Sequence, residues 1–203
     1  MSLPAILERI AQIDQIVAPK PPAATGGPSG FLTALDGVQR GSSLAVPAAA
    51  APAVPGTGGS GALAAAQSQV GVSEQPPGSN DGPQIAQYRT ATAGSGVGPW
   101  CAYFTSWAAA QAGVPLGEAG QGFGSVSALY SWAQRTGRAT AAGPGVRPNP
   151  GDLIVWGGRH IGIVESVDAD GSIHTIEGNS SNAVSRRTYG PDGGGATGYV
   201  RLG

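Results

Sequence analysis

The chain has 203 residues, of which 11 are basic and 12 are acidic, so its formal net charge is −1. Because this balance gives no electrostatic attraction for polyanions, neither nucleic acid nor an acidic membrane surface is expected as a partner. One cysteine excludes an internal disulfide, and with only two histidines it leaves too few ligands for a soft metal, so no metal or other cofactor is expected. No apolar run is long enough to span a membrane, and the N-terminus lacks the features of a secretory signal peptide. We therefore expect synthesis in the cytoplasm, with any export by a route that needs no such signal.

Residues 1–19 carry the pattern of a short amphipathic helix. The apolar residues alternate spacings of three and four, as in the a/d seam of a coiled coil: Leu3, Ile6, Ile10, Ile13 and Val17. So short a seam is compatible with two roles. The helix either docks on its own globular domain, or it serves oligomerisation, export or attachment to a protein partner.

A change in composition divides the remainder of the chain. Residues 20–71 are mostly Ala, Gly, Pro and Ser, which bury too little apolar surface to offset the entropy lost on ordering, so this segment is predicted to be a flexible linker. From residue 72 onward the composition is that of a globular domain, and all 4 tryptophans and all 5 tyrosines lie there. We therefore predict one folded domain over residues 72–203.

Three helices are predicted at the start of this domain. In "NDGPQIAQYRTA", Asp81 is the expected N-cap and Pro83 an early helical residue. The segment "GPWCAYFTSWAAAQAG" predicts a second helix, which begins near Pro99 and ends at Gly113. A third follows in "GSVSALYSWAQRTGR", with Gly137 as its stop signal.

The pattern then changes from helical to extended. Five short runs rich in β-forming residues follow one another: "DLIVWGG", "HIGIVESV", "GSIHTIEG", "AVSRRTY" and "GYVRL". The "DADG" at 168–171 predicts a hairpin turn between two of them. Helices followed by antiparallel strands indicate the α+β class.

The single cysteine, Cys101, lies where the second helix is predicted to begin. Unpaired backbone N–H groups and the positive end of the helix dipole favour a thiolate at such a position. The same N–H groups are suited to hold the oxyanion that develops during acyl transfer. The sequence therefore predicts that Cys101 is a nucleophile, although a lone helical cysteine is also a common buried hydrophobe.

A thiol nucleophile needs a base, and the chain offers two histidines. His160 opens the strand "HIGIV" after a tight glycine link, which suits a catalytic imidazole, whereas His174 is expected to be a surface residue. Glu177 and Asn179, two residues apart, are expected to share one face of the next strand. Either one can orient the imidazole and stabilise its charge.

Three motifs together resemble the CHAP family, the cysteine- and histidine-dependent amidohydrolases and peptidases of bacterial and phage cell-wall lysis. The motifs are "GPWCAYFTSWAAAQAG", "PNPGDLIVWGGRHIGIVESV" and "IHTIEGNSS", and the resemblance runs from about Asn80 to the C-terminus. It implies a papain-like fold and a peptidoglycan substrate. It also implies that Cys101 is the nucleophile, that His160 is the base, and that Glu177 orients the base with help from Asn179.

Some features of the family are absent, and some residues remain open in role. The sequence before Cys101 contains no acidic calcium-binding loop, and "DADG" lacks the further oxygen ligands that calcium needs. Trp100 is compatible with either a substrate platform or the core. Arg186 and Arg187 alternate faces of a strand, and Arg187 is a candidate for binding an acidic stem peptide.

These observations predict a hydrolase that cleaves an amide of peptidoglycan through a thioester. Both an N-acetylmuramoyl-L-alanine amidase and a stem or cross-bridge endopeptidase fit this chemistry. The expected place of action is the cell wall, in phage lysis or in wall remodelling linked to a flagellar or secretion apparatus. Two other functions stay open, a non-catalytic wall-binding module and a thiol acyltransferase.

Overall fold

The computed structural model describes residues 58–203, which form helices followed by a single antiparallel sheet. The helices are α1 (Gly58–Gln67), α2 (Pro83–Thr90), α3 (Cys101–Gln111) and α4 (Val126–Arg135). The strands are β1 (Ala139–Ala141), β2 (Leu153–Trp156), β3 (His160–Val167), β4 (Ile173–Ser180), β5 (Ala183–Tyr189) and β6 (Gly198–Val200). The predicted α+β class is confirmed. The predicted helix over residues 1–19 and the part of the predicted linker over 20–57 lie outside the described residues.

The helices begin near the positions that the sequence predicts, but the N-cap of α2 is not the predicted residue. Pro83 is the first residue of α2, as predicted, but Gly82 occupies the N-cap without a side-chain hydrogen bond. Asp81, the predicted cap, instead forms an ion pair with Arg89 at 2.6 Å. Ser125 caps α4, since its hydroxyl accepts from the N–H of Ala128 at 3.3 Å.

Helix α1 lies in the segment that was predicted to be a linker, so that prediction is wrong for residues 58–67. Ala62 and Ala66 are fully buried in the main core, and α1 packs against α3. A small side chain buries little surface by itself but lets two helices approach closely. The Ala/Gly composition that resembles a linker thus forms a helix here, because α3 supplies the apolar face that α1 packs against.

The strands form one sheet in the order β1-β6-β2-β3-β4-β5, with antiparallel neighbours. Strands β2 to β5 are consecutive hairpins, and the predicted turn at 168–171 joins β3 to β4. Strand β1 was not predicted, because its three residues carry no pattern of their own and become a strand only by pairing with β6.

Each face of the sheet carries its own cluster of buried side chains. On β2, Leu153 and Val155 join the main core beneath the helices, while Ile154 and Trp156 join a smaller cluster, as the alternation of a strand requires. Within residues 58–203, no helix is both long and apolar enough to cross a membrane. The helices form one layer on the sheet, and this packing sets the position of α3.

The docking of α1 is tested by placing a charge on its buried or its exposed face. Ala66→Asp buries a carboxylate without a partner and is expected to lower the free energy of unfolding by about 3 kcal/mol or more. Ala64 lies on the same helix but is exposed. Ala64→Asp is therefore expected to cost less than about 1 kcal/mol. Denaturant unfolding measures both, and equal losses would contradict the packing of α1 described above.

Candidate active site

Cys101 is the first residue of α3, and its side chain is 4 % exposed. The carbonyl of Trp100 accepts the first bond of the helix, from the N–H of Phe104 at 3.0 Å. The predicted place of the cysteine, in the first turn, is therefore confirmed. The first backbone N–H groups of a helix have no partner within the helix and remain available as hydrogen-bond donors.

The start of α3 is fixed by a buried carboxylate. The indole Nε1 of Trp100 donates to Oε1 of Glu74 at 2.9 Å, and the other oxygen of Glu74 accepts from the N–H of Asn80 at 3.0 Å. The Trp100 ring is fully buried and lies beside Tyr88, with centroids 5.8 Å apart. Trp100 cannot therefore act as a substrate platform, and of its two predicted roles the structure shows the core.

Close packing sets the distance between α3 and the sheet. Helix α3 contacts both β3 and β4. At Gly178 of β4, a Cβ atom would lie 2.5 Å from the Cβ of Phe104, so any larger residue would push the helix away. The residue before this glycine is Glu177, so the contact also sets the helix relative to the predicted orienting carboxylate.

His160 opens β3 and forms a short hydrogen bond with Glu177. On β3, Ile161 and Ile163 face the main core, and the His160 ring stacks on the Trp156 ring, with the ring centroids 5.5 Å apart. The ring Nε2 is 2.7 Å from Oε2 of Glu177. This bond leaves Nδ1 for Cys101, whose thiol interacts with the same ring.

Glu177 is almost completely buried and receives three side-chain hydrogen bonds. Besides the His160 ring, Thr175 donates from Oγ1 at 2.6 Å and Tyr189 donates from its hydroxyl at 2.8 Å, both to Oε1 of Glu177. Gly162 makes room for this carboxylate, since a Cβ there would lie 2.7 Å from Cγ of Glu177. A buried carboxylate that accepts three hydrogen bonds from different elements is held in one orientation.

The sequence did not identify Thr175 and Tyr189 as residues that hold this carboxylate. Strand alternation places Thr175 on the face of Glu177, which is a usable signal. Tyr189 lies on β5 and reaches Glu177 only because of the register between β4 and β5, where Ile173 pairs with Tyr189. A register between strands cannot be read from either strand alone.

The charged forms of His160 and Glu177 stabilise each other. Burial by itself would lower the pKa of His160, but the neighbouring Cys101 thiol and Glu177 carboxylate outweigh it and raise that pKa to about 9. Burial would raise the pKa of Glu177, but hydrogen bonds from His160, Thr175 and Tyr189 outweigh it and hold this pKa below its usual range. The raised pKa of His160 favours the protonated imidazole at neutral pH.

Asn179 does not share this arrangement. Its backbone is left-handed, with φ of 57°, and the pairing of β4 with β5 shifts register between Glu177 and Ser180. The alternation that was expected to place Asn179 on the face of Glu177 is therefore interrupted. Over residues 58–203, no hydrogen bond joins Asn179 to the His160 ring, which bonds Glu177.

His174 and the two aspartates of the hairpin turn form a separate surface group. The His174 ring bonds Asp168 at 2.8 Å and Thr188 at 3.0 Å, and Asp170 accepts from the N–H of Ser172 at 2.9 Å. These bonds complete the turn between β3 and β4. In the described part of the chain, no group of three His, Cys, Asp or Glu side chains is placed to hold a metal ion.

The two adjacent arginines of β5 differ in their surroundings. Arg186 forms an ion pair with Glu165, from Nε to Oε2 at 2.8 Å. Arg187 points to the β4–β5 turn, where it donates to the hydroxyl groups of Ser180 at 2.9 Å and Ser181 at 2.7 Å. Of the two arginines, only Arg187 lies on the same face as Glu177 and Tyr189, because strand alternation separates the pair.

Comparison with known families agrees with this geometry. Residues 92–179 match the model of the CHAP domain family. This part of the chain is therefore similar to CHAP domains. The matched segment contains all three members of the Cys101, His160 and Glu177 constellation, and the resemblance predicted from the sequence is confirmed. A comparison with curated proteins gave no match.

Two solved structures are similar to this chain. RipB, a peptidoglycan hydrolase from Mycobacterium tuberculosis, is 20 % identical, with a TM-score of 0.40, and the match covers 89 % of this chain and 74 % of RipB. A mutated form of RipA, a resuscitation-promoting-factor-interacting protein, is 19 % identical, with a TM-score of 0.44 over 75 % of this chain and 65 % of RipA. The match therefore spans slightly less than two thirds of the RipA structure.

Titration of the His160 ring tests the electrostatics of the site. NMR of the reduced protein is expected to show this ring titrating near pH 9, and Glu177→Gln should move the titration to lower pH because an amide does not stabilise the imidazolium. Asp168→Asn, which alters the partner of His174 only, serves as the control. A His160 titration near 6.5 that Glu177→Gln leaves unchanged would contradict the pairing.

The same pKa shift predicts how stability depends on pH. The folded protein holds the His160 proton more tightly than the unfolded chain, where the pKa of histidine is 6.5. Protonation of His160 therefore contributes stability that is complete below about pH 6.5 and is lost as the pH rises through about 9. Denaturant unfolding of the wild type and of Glu177→Gln across this range is expected to show the difference between them shrinking with rising pH.

Proposed function

We propose that this protein is a peptidoglycan hydrolase that cleaves an amide bond with Cys101 as its nucleophile. The observation that carries the proposal is the bond of 2.7 Å between the His160 ring and the buried Glu177 carboxylate, together with the thiol at the start of α3 that interacts with the same ring. A nucleophile, a base and a group that orients the base are the parts that covalent acyl transfer requires. The CHAP match supports the reaction class and the substrate class together.

The first half of the reaction forms a thioester. The sulfur of Cys101 attacks the amide carbonyl carbon, and the carbonyl oxygen takes up negative charge that the N–H groups at the start of α3 stabilise. His160 then donates its proton to the amide nitrogen as the carbon–nitrogen bond breaks. The amine leaves, and the acyl group stays on Cys101.

The second half releases the acid and restores the enzyme. His160, now neutral, accepts a proton from water while the water oxygen attacks the thioester carbonyl. The carbon–sulfur bond breaks, the carboxylic acid leaves, and the thiolate again faces a protonated ring. Glu177 stays ionised throughout and stabilises the imidazolium in both steps, since its hydrogen bonds keep its pKa low.

The proposed place of action is the cell wall, where the substrate is found. The scissile bond is either the amide between muramic acid and the stem peptide or a peptide bond within the stem or cross-bridge. Both have a planar amide carbonyl that the same thiol can attack. The products distinguish them, because only the first leaves a complete stem peptide with a free N-terminal amine.

Loss of the thiol tests the proposal directly. Cys101→Ala is expected to reduce the hydrolysis of purified peptidoglycan by about 10⁴-fold or more, as for removal of other covalent nucleophiles. Mass spectrometry of the digest is expected to show complete stems with new amines for an amidase, or shortened stems and opened bridges for an endopeptidase. Thermal unfolding of the variant confirms that the fold is retained.

Other outcomes of this experiment would favour the other two functions. Equal wall clearance or wall binding by the wild type and Cys101→Ala, with no new termini, would indicate a non-catalytic wall-binding module. Ligated in place of hydrolysed products would indicate a thiol acyltransferase, in which an amine takes the place of water in the second half. Either result would overturn the hydrolase proposal.

The two candidate orienting residues are expected to differ in effect. Glu177→Gln removes the charge beside His160 and should lower kcat/KM by about 100-fold, because the imidazolium loses its stabilising partner. It should also shift the alkaline decline in activity to lower pH. Asn179→Gly keeps the left-handed backbone while removing the side chain and should lower kcat/KM by less than about 10-fold. A larger loss for Asn179→Gly than for Glu177→Gln would contradict the assignment.

A further inference from the structure

Arg187 carries a charge that no acidic side chain of the described residues neutralises by an ion pair. None of the ion pairs found over residues 58–203 includes it, whereas its neighbour Arg186 binds Glu165 through two nitrogens, at 2.8 and 3.0 Å. The partners of Arg187 are instead two hydroxyl groups, those of Ser180 and Ser181. These bonds fix the guanidinium without cancelling its charge.

The two serines add hydrogen-bond donors to this charge. A hydroxyl oxygen that accepts from a guanidinium still carries its own hydrogen, which can be donated to another acceptor. The hydroxyls of Ser180 and Ser181 lie against the two ends of the Arg187 guanidinium, at Nε and at one terminal nitrogen. A guanidinium flanked by two O–H donors matches an acceptor-only group with two oxygens, which describes a carboxylate.

The β4–β5 turn holds this group of donors in place. Ser181 and Asn182 both have a left-handed backbone, with φ of 56° and 61°, between the paired residues Ser180 and Ala183. Positive φ at both central residues is the signature of the tight two-residue turn that suits a hairpin. The serine hydroxyls are therefore positioned by the backbone of a short turn and not by a long loop.

This group of donors lies beside the proposed catalytic residues. Arg187 pairs across the sheet with Thr175, which donates to Glu177. The charge of Arg187 also acts on Tyr189, which is a further donor to Glu177. Strand β5 is two strands away from β3, so the two lie about 10 Å apart across the sheet. An extended peptide spans that distance with about three residues.

We propose that Arg187, with the hydroxyls of Ser180 and Ser181, forms a subsite for a carboxylate of the substrate peptide. The proposal rests on the proposed function and adds to it a requirement on the substrate, a free acid group about three residues from the scissile amide. When this group of the stem peptide is a carboxylate, it pairs with the charge of Arg187. Peptides in which it is a carboxamide leave the charge of Arg187 without its partner.

The test compares two substrates and two matched variants. The substrates are one stem-peptide fragment with its side-branch group as a carboxylate and the same fragment with a carboxamide. Arg187→Gln is expected to raise KM for the carboxylate about 10-fold or more, with kcat changed less than 3-fold and the carboxamide hardly affected. Arg186→Gln removes the same charge from the adjacent residue of β5 and is expected to leave the preference between the substrates unchanged.

The possible results separate the two proposals. An equal effect of Arg187→Gln on both substrates, or an equal loss of preference in Arg186→Gln, would overturn the carboxylate subsite while the hydrolase function stands. If the wild type cleaves neither fragment, the proposed function fails for such substrates. Binding of the same pair to the wild type and to Arg187→Gln, followed by NMR, then decides the subsite by itself, since only a carboxylate site loses its preference on substitution.

Discussion

The hydrogen bond between His160 and Glu177 is the interaction on which the rest of the site depends. Burial disfavours an ionised carboxylate and a protonated imidazole when each is alone, and here each makes the charge of the other favourable. Thr175 and Tyr189 complete the hydrogen bonds of the carboxylate, and Trp156 covers one side of the ring. The imidazole is thereby fixed in orientation before any substrate binds. Substrate binding therefore does not have to order the ring.

The second constraint is the position of α3. Its first turn presents Cys101 to the imidazole, and two contacts at its start are responsible. The Glu74 carboxylate accepts a hydrogen bond from the Trp100 indole. Because Gly178 has no side chain, Phe104 can pack closely against β4. Neither contact touches the thiol, yet each limits where the thiol can lie. Trp100 is therefore part of the scaffold that positions the Cys101 thiol.

The local patterns of the sequence were sufficient for most elements of the domain. Helical periodicity, proline near a helix start and glycine after a helix end predicted α2, α3 and α4, and period-two runs predicted β2 to β6. The failures have a common physical cause. Helix α1 and strand β1 are short segments of small residues whose structure comes from a neighbour, α3 for one and β6 for the other. No pattern within a segment reports a partner that is distant in the chain.

The sequence by itself determined the order of the chemistry: a lone thiol at a helix start, a histidine at a strand start, and a carboxylate on the next strand. Those features follow from local propensity and from residue type, which the chain carries at each position. Only the tertiary structure showed that the His160 ring bonds Glu177, that Trp100 is buried, and that Arg186 pairs with Glu165 whereas Arg187 bonds two serines. Each of these outcomes depends on strand register, on a bulge or on burial, and these properties arise when segments distant in sequence come into contact.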